Sequence, residues 1–392
     1  AMTFVPRINS RTALLCPEFL NKELTPTIYD PAAKVSTTGF AELLKDAGIR
    51  HEQAVLAALL GTGLNCVQVD AGAPESRAAQ TAAALTSDSV DVIIHAYLAP
   101  ETSLLLNPGT TAPAVNGYPL VSEPDLLVRT PSESSRSARW LPVDIKSHST
   151  PETSTRQWVR ITPLGQPGIT RVQAAEGRLA FDDAVQLAHY WRHLQALGLG
   201  TEEAWAGIIG RDASCIVWQE LNVAAYGVGA AATSAVNSYD SRLAERVEVI
   251  TAALARNSGS DILPTSSAQV YPDPKFGCAG CAWWDVCKEE LKAVGGTGHV
   301  TLLAGITPAR KIRHVPEIDS IGELAEIDPA GNATLLEYKI RALAYRDGVP
   351  MQLQAGWEFP RFDIEIDIDL ENSQAALLDA NLDAVGEDVI YL

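Results

Sequence analysis

The chain is short of positive charge: 30 Lys and Arg stand against 48 Asp and Glu, a formal net charge of −18. A protein that coats nucleic acid with a broad basic surface gains affinity by neutralising phosphates and releasing counterions, so this balance argues against that class. It leaves room for a hydrolase whose carboxylates hold divalent cations beside a locally basic channel. Long apolar runs are lacking too. No stretch approaches the roughly 20 residues that span a bilayer, and no basic segment leads into an apolar one near the N-terminus. The expectation is a cytoplasmic protein with no membrane partner. Cysteine is sparse at 6 residues, and in a reducing compartment these are expected as ligands or buried apolar side chains rather than as disulfides. What is present, 392 residues with 46% hydrophobic and 20% charged, is ordinary for a globular protein of roughly two or three domains.

Two apolar runs bracket the most informative stretch. Glu123-Pro124-Asp125-Leu126-Leu127-Val128-Arg129 and Trp140-Leu141-Pro142-Val143-Asp144-Ile145-Lys146 are separated by the polar, turn-rich Thr130 to Ser137. The simplest structure is a pair of antiparallel strands joined by a loop, which places Asp125 beside Asp144. Side chains alternate along a strand with a period of two, so Asp144 and Lys146 share a face. Two carboxylates can hold Mg²⁺ or Mn²⁺ through hard oxygen ligands, and a lysine beside them can orient water and offset phosphate charge. By itself an Asp-x-Lys also describes a salt-bridged strand end.

Before this stretch, Phe40, Leu43, Leu44 and Ala47 have helical spacing, interrupted at Gly48 and resuming from His51 to Leu60, which sets His51 near a helix start. An alanine-rich helix is expected over 75–86, and Val90 to Leu98 is expected as the first strand of a central sheet, with His95 packed inside. After it, Ser147 to Gly177 is rich in Thr, Ser, Pro and Gly and reads as an irregular insertion or long hairpin. A helix should run from Phe181 through Leu194 to Gly198. On it Gln186 and Tyr190 are four apart and share a face, which is either a half-buried polar face or an amide and a phenol lining a nucleic-acid channel. Strands over 203–209 and 214–220 flank a Gly210-Arg211-Asp212 turn, and an amphipathic helix covers Ser241 to Asn257. Cys66 and Cys215 lie in apolar or strand segments and read as structural.

A second stretch carries Cys278, Cys281 and Cys287 in a C-x2-C-x5-C pattern. Three thiols are one short of a tetrahedral set for zinc or an iron-sulfur cluster, and Cys16 is the candidate fourth. Beyond Gly295-Gly296 come short helix starts with glycine turns, then a strict acid/apolar alternation from Phe362 to Asn372 and a last apolar run, Val389 to Leu392, both read as strands.

With these pieces in hand the chain resembles the RecB-like branch of the PD-(D/E)xK nuclease superfamily. Gly48-Ile49-Arg50-His51 matches its G-x-x-x-H type first motif, Glu123-Pro124-Asp125 its G-x-x-D, Asp144-Ile145-Lys146 its D-x-K, and Gln186 to Tyr190 its Q-x-x-x-Y, in the family's order. The second motif departs in that Ser122-Glu123 stands where the family has its glycine. Cys16 with Cys278, Cys281 and Cys287 is similar to the iron-sulfur staple of the AddB nuclease domain, and the chain beyond it is similar to RecB-like proteins that continue into an RNase H-like domain.

The resemblance implies an α/β fold, a mixed central sheet flanked by helices, followed by a small helical module and a short β segment. It implies a stapled nuclease domain over 3–294, a helix-hairpin-helix-like module over 298–355, and over 360–392 the start of a truncated RNase H-like domain, where Asp369 and Glu371 cannot complete a second active site. The implied activity is metal-dependent DNA exonuclease action, on single-stranded ends in repair or recombination, with DNA and a helicase as partners. His51, Asp125, Asp144 and the Ile145 carbonyl would hold Mg²⁺ or Mn²⁺; Asp125, Asp144 and Lys146 would be catalytic; Gln186 and Tyr190 would contact nucleic acid; the four cysteines would bind a [4Fe-4S] cluster. The alternatives are an inactive iron-sulfur DNA-binding subunit of a repair complex and a zinc-stapled protein with no nucleic-acid role.

Overall fold

A computed structural model describes residues 6–35, 39–130, 139–154, 157–169, 173–227, 231–258, 278, 281–348, 371–373 and 389–391. The chain runs through α1 (Pro17–Leu24), α2 (Gly39–Leu60), β1 (Cys66–Gln68), α3 (Pro74–Thr86), β2 (Val92–Ile94), α4 (Pro100–Leu106), β3 (Ala114–Val115) and β4 (Tyr118–Pro119). It continues through β5 (Leu126–Thr130), β6 (Arg139–Ile145), β7 (Trp158–Pro163), β8 (Gln173–Glu176), α5 (Phe181–Ala196), β9 (Trp205–Ile209), β10 (Cys215–Glu220) and α6 (Ala235–Asn257). Then come α7 (Trp284–Ala293), α8 (Pro308–His314), α9 (Ile321–Glu326), α10 (Ala333–Asp347), β11 (Glu371–Ser373) and β12 (Val389–Tyr391). By internal contacts it divides into two compact units, 1–20 with 45–255 and 261–266, and 21–44 with 256–260 and 267–392.

The first unit is α/β, built on an eight-stranded mixed sheet in the order β1-β2-β5-β6-β9-β10-β7-β8. β1 with β2 and β6 with β9 pair in parallel, and the other neighbours are antiparallel. The central strands are apolar almost throughout, as strands covered on both faces must be: every residue of β9 is buried, and all of β6 after Arg139. Alternation sorts them into two cores. Val92, Ile94, Leu126, Val128, Leu141, Val143 and Ile145 face Val55 and Leu59 of α2. Ile93, Leu127 and Trp140 face α3 and the end of α5 through Leu85, Leu194 and Leu197. One glycine is dictated by packing: a Cβ on Gly207 in β9 would lie 2.6 Å from Ile216 and 2.9 Å from Trp218 on the neighbouring strand.

Three expectations change here. α2 does not break at Gly48; a Cβ there would meet nothing within 4 Å, and the roughly 1 kcal/mol propensity cost of one glycine is carried by a helix whose later turns are anchored in the core. Val92–Ile94 is preceded by an edge strand, Cys66–Gln68. The polar segment after Lys146 is a long hairpin, as one of its two readings had it, but it belongs to the main sheet: β7 pairs with β10 and carries β8 at the edge.

In the second unit residues 21–35 are laced to the start of α7. Val35 donates to the Ala282 carbonyl at 2.9 Å, Trp283 Nε1 to Glu23 Oε1 at 2.9 Å, and the fully buried Lys22 Nζ to Glu290 Oε2 at 2.7 Å while lying 4.0 Å from the centroid of Tyr29. A separate apolar core, including Val300, Leu303, Ile321, Leu324, Tyr338 and Ala342, joins α9 and α10 to Val315 at the end of α8. Each of these short helices is capped: Thr307 on α8, a Ser320/Glu323 capping box on α9, and Asn332 on α10, which ends at Gly348 with φ 66°. β11 and β12 pair antiparallel. Of the alternating run from Phe362, only the residues from Glu371 onward lie within the described chain, and Asp369 lies outside it.

Candidate active site

β5 and β6 pair antiparallel, with Leu126 opposite Val143. One step beyond that pair stand Asp125 and Asp144, on the sheet face that α5 covers, so the strand register alone brings the two carboxylates together. Asp125 is pinned from three sides. Its Oδ2 accepts from the Ile145 amide at 2.6 Å and its carbonyl accepts from the His95 amide at 2.8 Å, while Pro124 stiffens its approach. His95 itself has φ 57°, a left-handed conformation unusual for a side chain of this size, held by that bond and by its ring, whose Nε2 meets Glu52 Oε1 at 2.7 Å.

Lys146 continues β6 by donating its amide to Ile209 on β9, and its ammonium swings back over the strand. Nζ lies 2.8 Å from Asp144 Oδ2, 3.0 Å from Gln186 Oε1 and 4.0 Å from Asp183 Oδ1. Gln186 in turn donates Nε2 to the Tyr190 hydroxyl at 2.8 Å, which lies within hydrogen-bond distance of Ser10 Oγ at 3.2 Å and the Glu123 carbonyl at 3.3 Å. The Tyr190 ring is buried, 2% exposed, so only its hydroxyl reaches the site. On this helix face the phenol ring is core and the amide is aimed at the lysine.

These residues line a cavity of about 450 Å³. Its walls hold Asp125, Asp144, Ile145, Lys146, Gln186 and Tyr190, joined by Glu52, Glu123, His148 and the cations Arg11 and Lys45. Arg11 is positioned by a polar turn in which Asn9 Oδ1 accepts from its amide at 3.0 Å and from Thr12 Oγ1 at 3.2 Å. His51 is not among the lining residues. Its Nε2 is buried and has no hydrogen-bond partner among the described residues, while the next residue, Glu52, faces the cavity. Glu52, Arg11, Lys45 and His148 escaped the sequence reading. The signal for Glu52 was present: it stands four residues after Gly48 and three after Ile49, both of which line the cavity, and so shares their helix face.

The electrostatics follow from the crowding of acids. Burial, and then the neighbouring charge of Asp144, hold the Asp125 carboxyl well above the usual carboxylate range; the Ile145 amide pulls the other way and Glu52 adds to the rise. Burial works to lower the Lys146 pKa, but Asp144, by charge and hydrogen bond, outweighs it and leaves the ammonium above its ordinary value. His148 is raised by its hydrogen bond to Asp183, whose Oδ2 is 2.9 Å from Nε2.

Two buried carboxylates that repel each other are a donor set for a hard divalent cation. The hydrogen bonds they accept from the described residues go to Oδ2 of each, which leaves Oδ1 of both for a metal, and Ile145 lines the same cavity. The donors therefore fit Mg²⁺ or Mn²⁺. Cys287 is buried on the first turn of α7, Cys278 and Cys281 are half-buried, and the Cys281 amide donates to the Cys278 carbonyl at 3.0 Å. Cys16 is exposed in the first unit, Cys66 and Cys215 are half-buried, and all six thiols are unbridged. Among the described residues no group of three or more His, Cys, Asp or Glu side chains is gathered as a metal-binding set, and no helix is long and apolar enough to cross a membrane. Comparison with family models, with curated proteins and with solved structures returns no match.

Proposed function

We propose that the chain is a metal-dependent nuclease of the RecB-like PD-(D/E)xK type, hydrolysing DNA phosphodiester bonds at single-stranded ends in repair or recombination. The observation that carries this reading is the opposed pair Asp125 and Asp144 at the ends of β5 and β6, with Lys146 bonded to Asp144. In it Asp125, Asp144 and the Ile145 carbonyl would hold Mg²⁺ or Mn²⁺, with His51 or Glu52 as a further ligand. The bound cation supplies Lewis acidity and lowers the pKa of water.

The chain's own groups do the rest. Asp144 aligns the Lys146 ammonium, Gln186 fixes it from the other side, and the ammonium meets the phosphate charge that grows as the bond breaks. Arg11 and Lys45, on the cavity wall, offer charge to the flanking phosphates beside the acids that would hold the cation. Gln186 and Tyr190 act on the strand through the network they anchor. The spacing of Cys16, Cys278, Cys281 and Cys287 is what supports a staple in which the four would hold a [4Fe-4S] cluster. The proposal is tested by incubating end-labelled single-stranded and duplex DNA with the protein in Mg²⁺, Mn²⁺ or EDTA. Shortening of single strands from an end in either metal and none in EDTA is expected; intact strands in all three would end the reading.

A further inference from the structure

The helices that follow α7 carry positive charge at odds with the acidity of the whole. α8 contains Arg310, Lys311, Arg313 and His314 and no acidic residue, in a chain of net charge −18. Lys311 is committed inward: it is 1% exposed, with Nζ 2.7 Å from Asp319 Oδ1 and 2.6 Å from the Pro316 carbonyl. Arg310, Arg313 and His314 stand at i, i+3 and i+4 and so share one helix face. That face forms one wall of a cavity of about 380 Å³, whose other wall is Thr334, Glu337 and Tyr338 of α10. The cavity lies wholly within the second unit.

The cavity's one acid, Glu337, is ion-paired to Arg341 one turn further along α10, so it leaves the arginines of α8 uncompensated. Arg310 spends one nitrogen on the Gly305 carbonyl at 2.9 Å. Arg313 is exposed and has no ion pair among the described residues. Tyr338 is 3% exposed and packs edge-on against His314 with centroids 6.1 Å apart, so it presents no face on which a base could stack. Guanidinium forks without a stacking platform are the complement of a sugar-phosphate backbone rather than of a nucleobase.

We propose that this cavity binds the phosphates of a nucleic-acid strand, with Arg310 and Arg313 as the phosphate ligands and His314 as a further donor. It rests on the function proposed above only for the identity of the strand, and it adds a contact, indifferent to sequence, outside the candidate active site.

The test uses the full chain in EDTA, so that nothing is cut, and follows the anisotropy of a fluorescent single-stranded DNA across salt concentrations. Arg313→Glu should weaken binding about tenfold and lower the salt slope by about 0.7, the loss of one phosphate contact on a single strand. Lys292→Ala, which removes an exposed cation paired with Glu289 in the same unit, should stay within about twofold. Arg313→Gln, the milder change, gives a smaller loss of the same kind and serves if the charge reversal disturbs folding, which circular dichroism reports. Binding of Arg313→Gln and Arg313→Glu within twofold of wild type would overturn the proposal. So would displacement of the DNA by polyglutamate, or by inorganic phosphate, at equal concentrations of anionic groups. Loss of binding at Arg313 in a protein that cuts nothing in any metal would leave this inference standing and remove the nuclease reading.

Discussion

Replacing Asp125 by Asn should make the metal-free protein more stable at neutral pH, and this is where the site's chemistry and the fold's energetics meet. Asparagine has the same shape and keeps an oxygen to accept from the Ile145 amide. What it removes is a carboxylate that burial and Asp144 hold well above the ordinary range. A carboxyl whose pKa is raised in the folded state binds its proton more tightly there than when unfolded. Its ionisation therefore costs stability progressively as pH rises from about 4, the unfolded value, through the folded value. The relief from deleting the charge exceeds the roughly 0.5–1 kcal/mol lost when a charge-assisted hydrogen bond becomes a neutral one. A net gain on the order of 1 kcal/mol corresponds to about 1–3 °C in Tm for a protein of this size. The groups facing Asp125 are Asp144 and Glu52, which raise its pKa, and Lys146, which lowers it and whose own pKa stands above its ordinary value. Thermal melts of wild type and Asp125→Asn in EDTA between pH 4 and 8 should show a gap that opens with pH and closes near pH 4. Millimolar Mg²⁺ should raise the wild type and not the variant. A variant less stable than wild type at pH 8 in EDTA, or a gap independent of pH, would refute the reasoning.

Three further outcomes follow from particular contacts. Tyr190→Ala should cost about 3–5 kcal/mol in denaturant melts, as truncation of a ring 2% exposed does, whereas Tyr190→Phe should cost about 1 kcal/mol and slow cleavage through the loosened Gln186. Cys16→Ser should bleach anaerobically purified brown protein and lower its Tm, while Cys66→Ser and Cys215→Ser should leave the visible spectrum unchanged; iron and sulfide retained in the Cys16 variant would count against the staple. Glu52→Ala should weaken Mg²⁺ binding more than His51→Ala, because Glu52 faces the cavity and His51 does not; the reverse order in calorimetric titrations would return His51 to the metal.

What could be seen in the sequence followed from short-range periodicity. The two apolar runs around Asp125 and Asp144 had to pair because one polar, turn-rich segment separates them, and the period of two put Lys146 over Asp144. The i, i+4 spacing of Gln186 and Tyr190 likewise survived intact as a hydrogen bond. What stayed hidden depends on contacts distant in sequence. Cys66–Gln68 is too short to show a pattern and becomes a strand only by lying against Val92–Ile94. The hairpin after Lys146 has the composition of a loop, and β10 makes part of it a strand. Arg11 reaches the cavity from the far end of the unit's chain, through an asparagine turn that no spacing rule connects to Asp144. His51 and Glu52 are neighbours, and a helix turns about 100° per residue, so choosing between them required knowing which face of α2 the core claims.

The most direct test of the central claim is single-turnover cleavage of end-labelled single-stranded DNA in Mg²⁺ and Mn²⁺ by wild type and Lys146→Ala, with metal binding measured on the same preparations. Lys146 touches Asp144 and Gln186 but offers no ligand to a cation, so its loss should slow cleavage by roughly 10²–10³ while metal affinity holds or tightens as the carboxylates lose their counter-charge. Cleavage by Lys146→Ala at the wild-type rate would place the chemistry elsewhere and contradict the account.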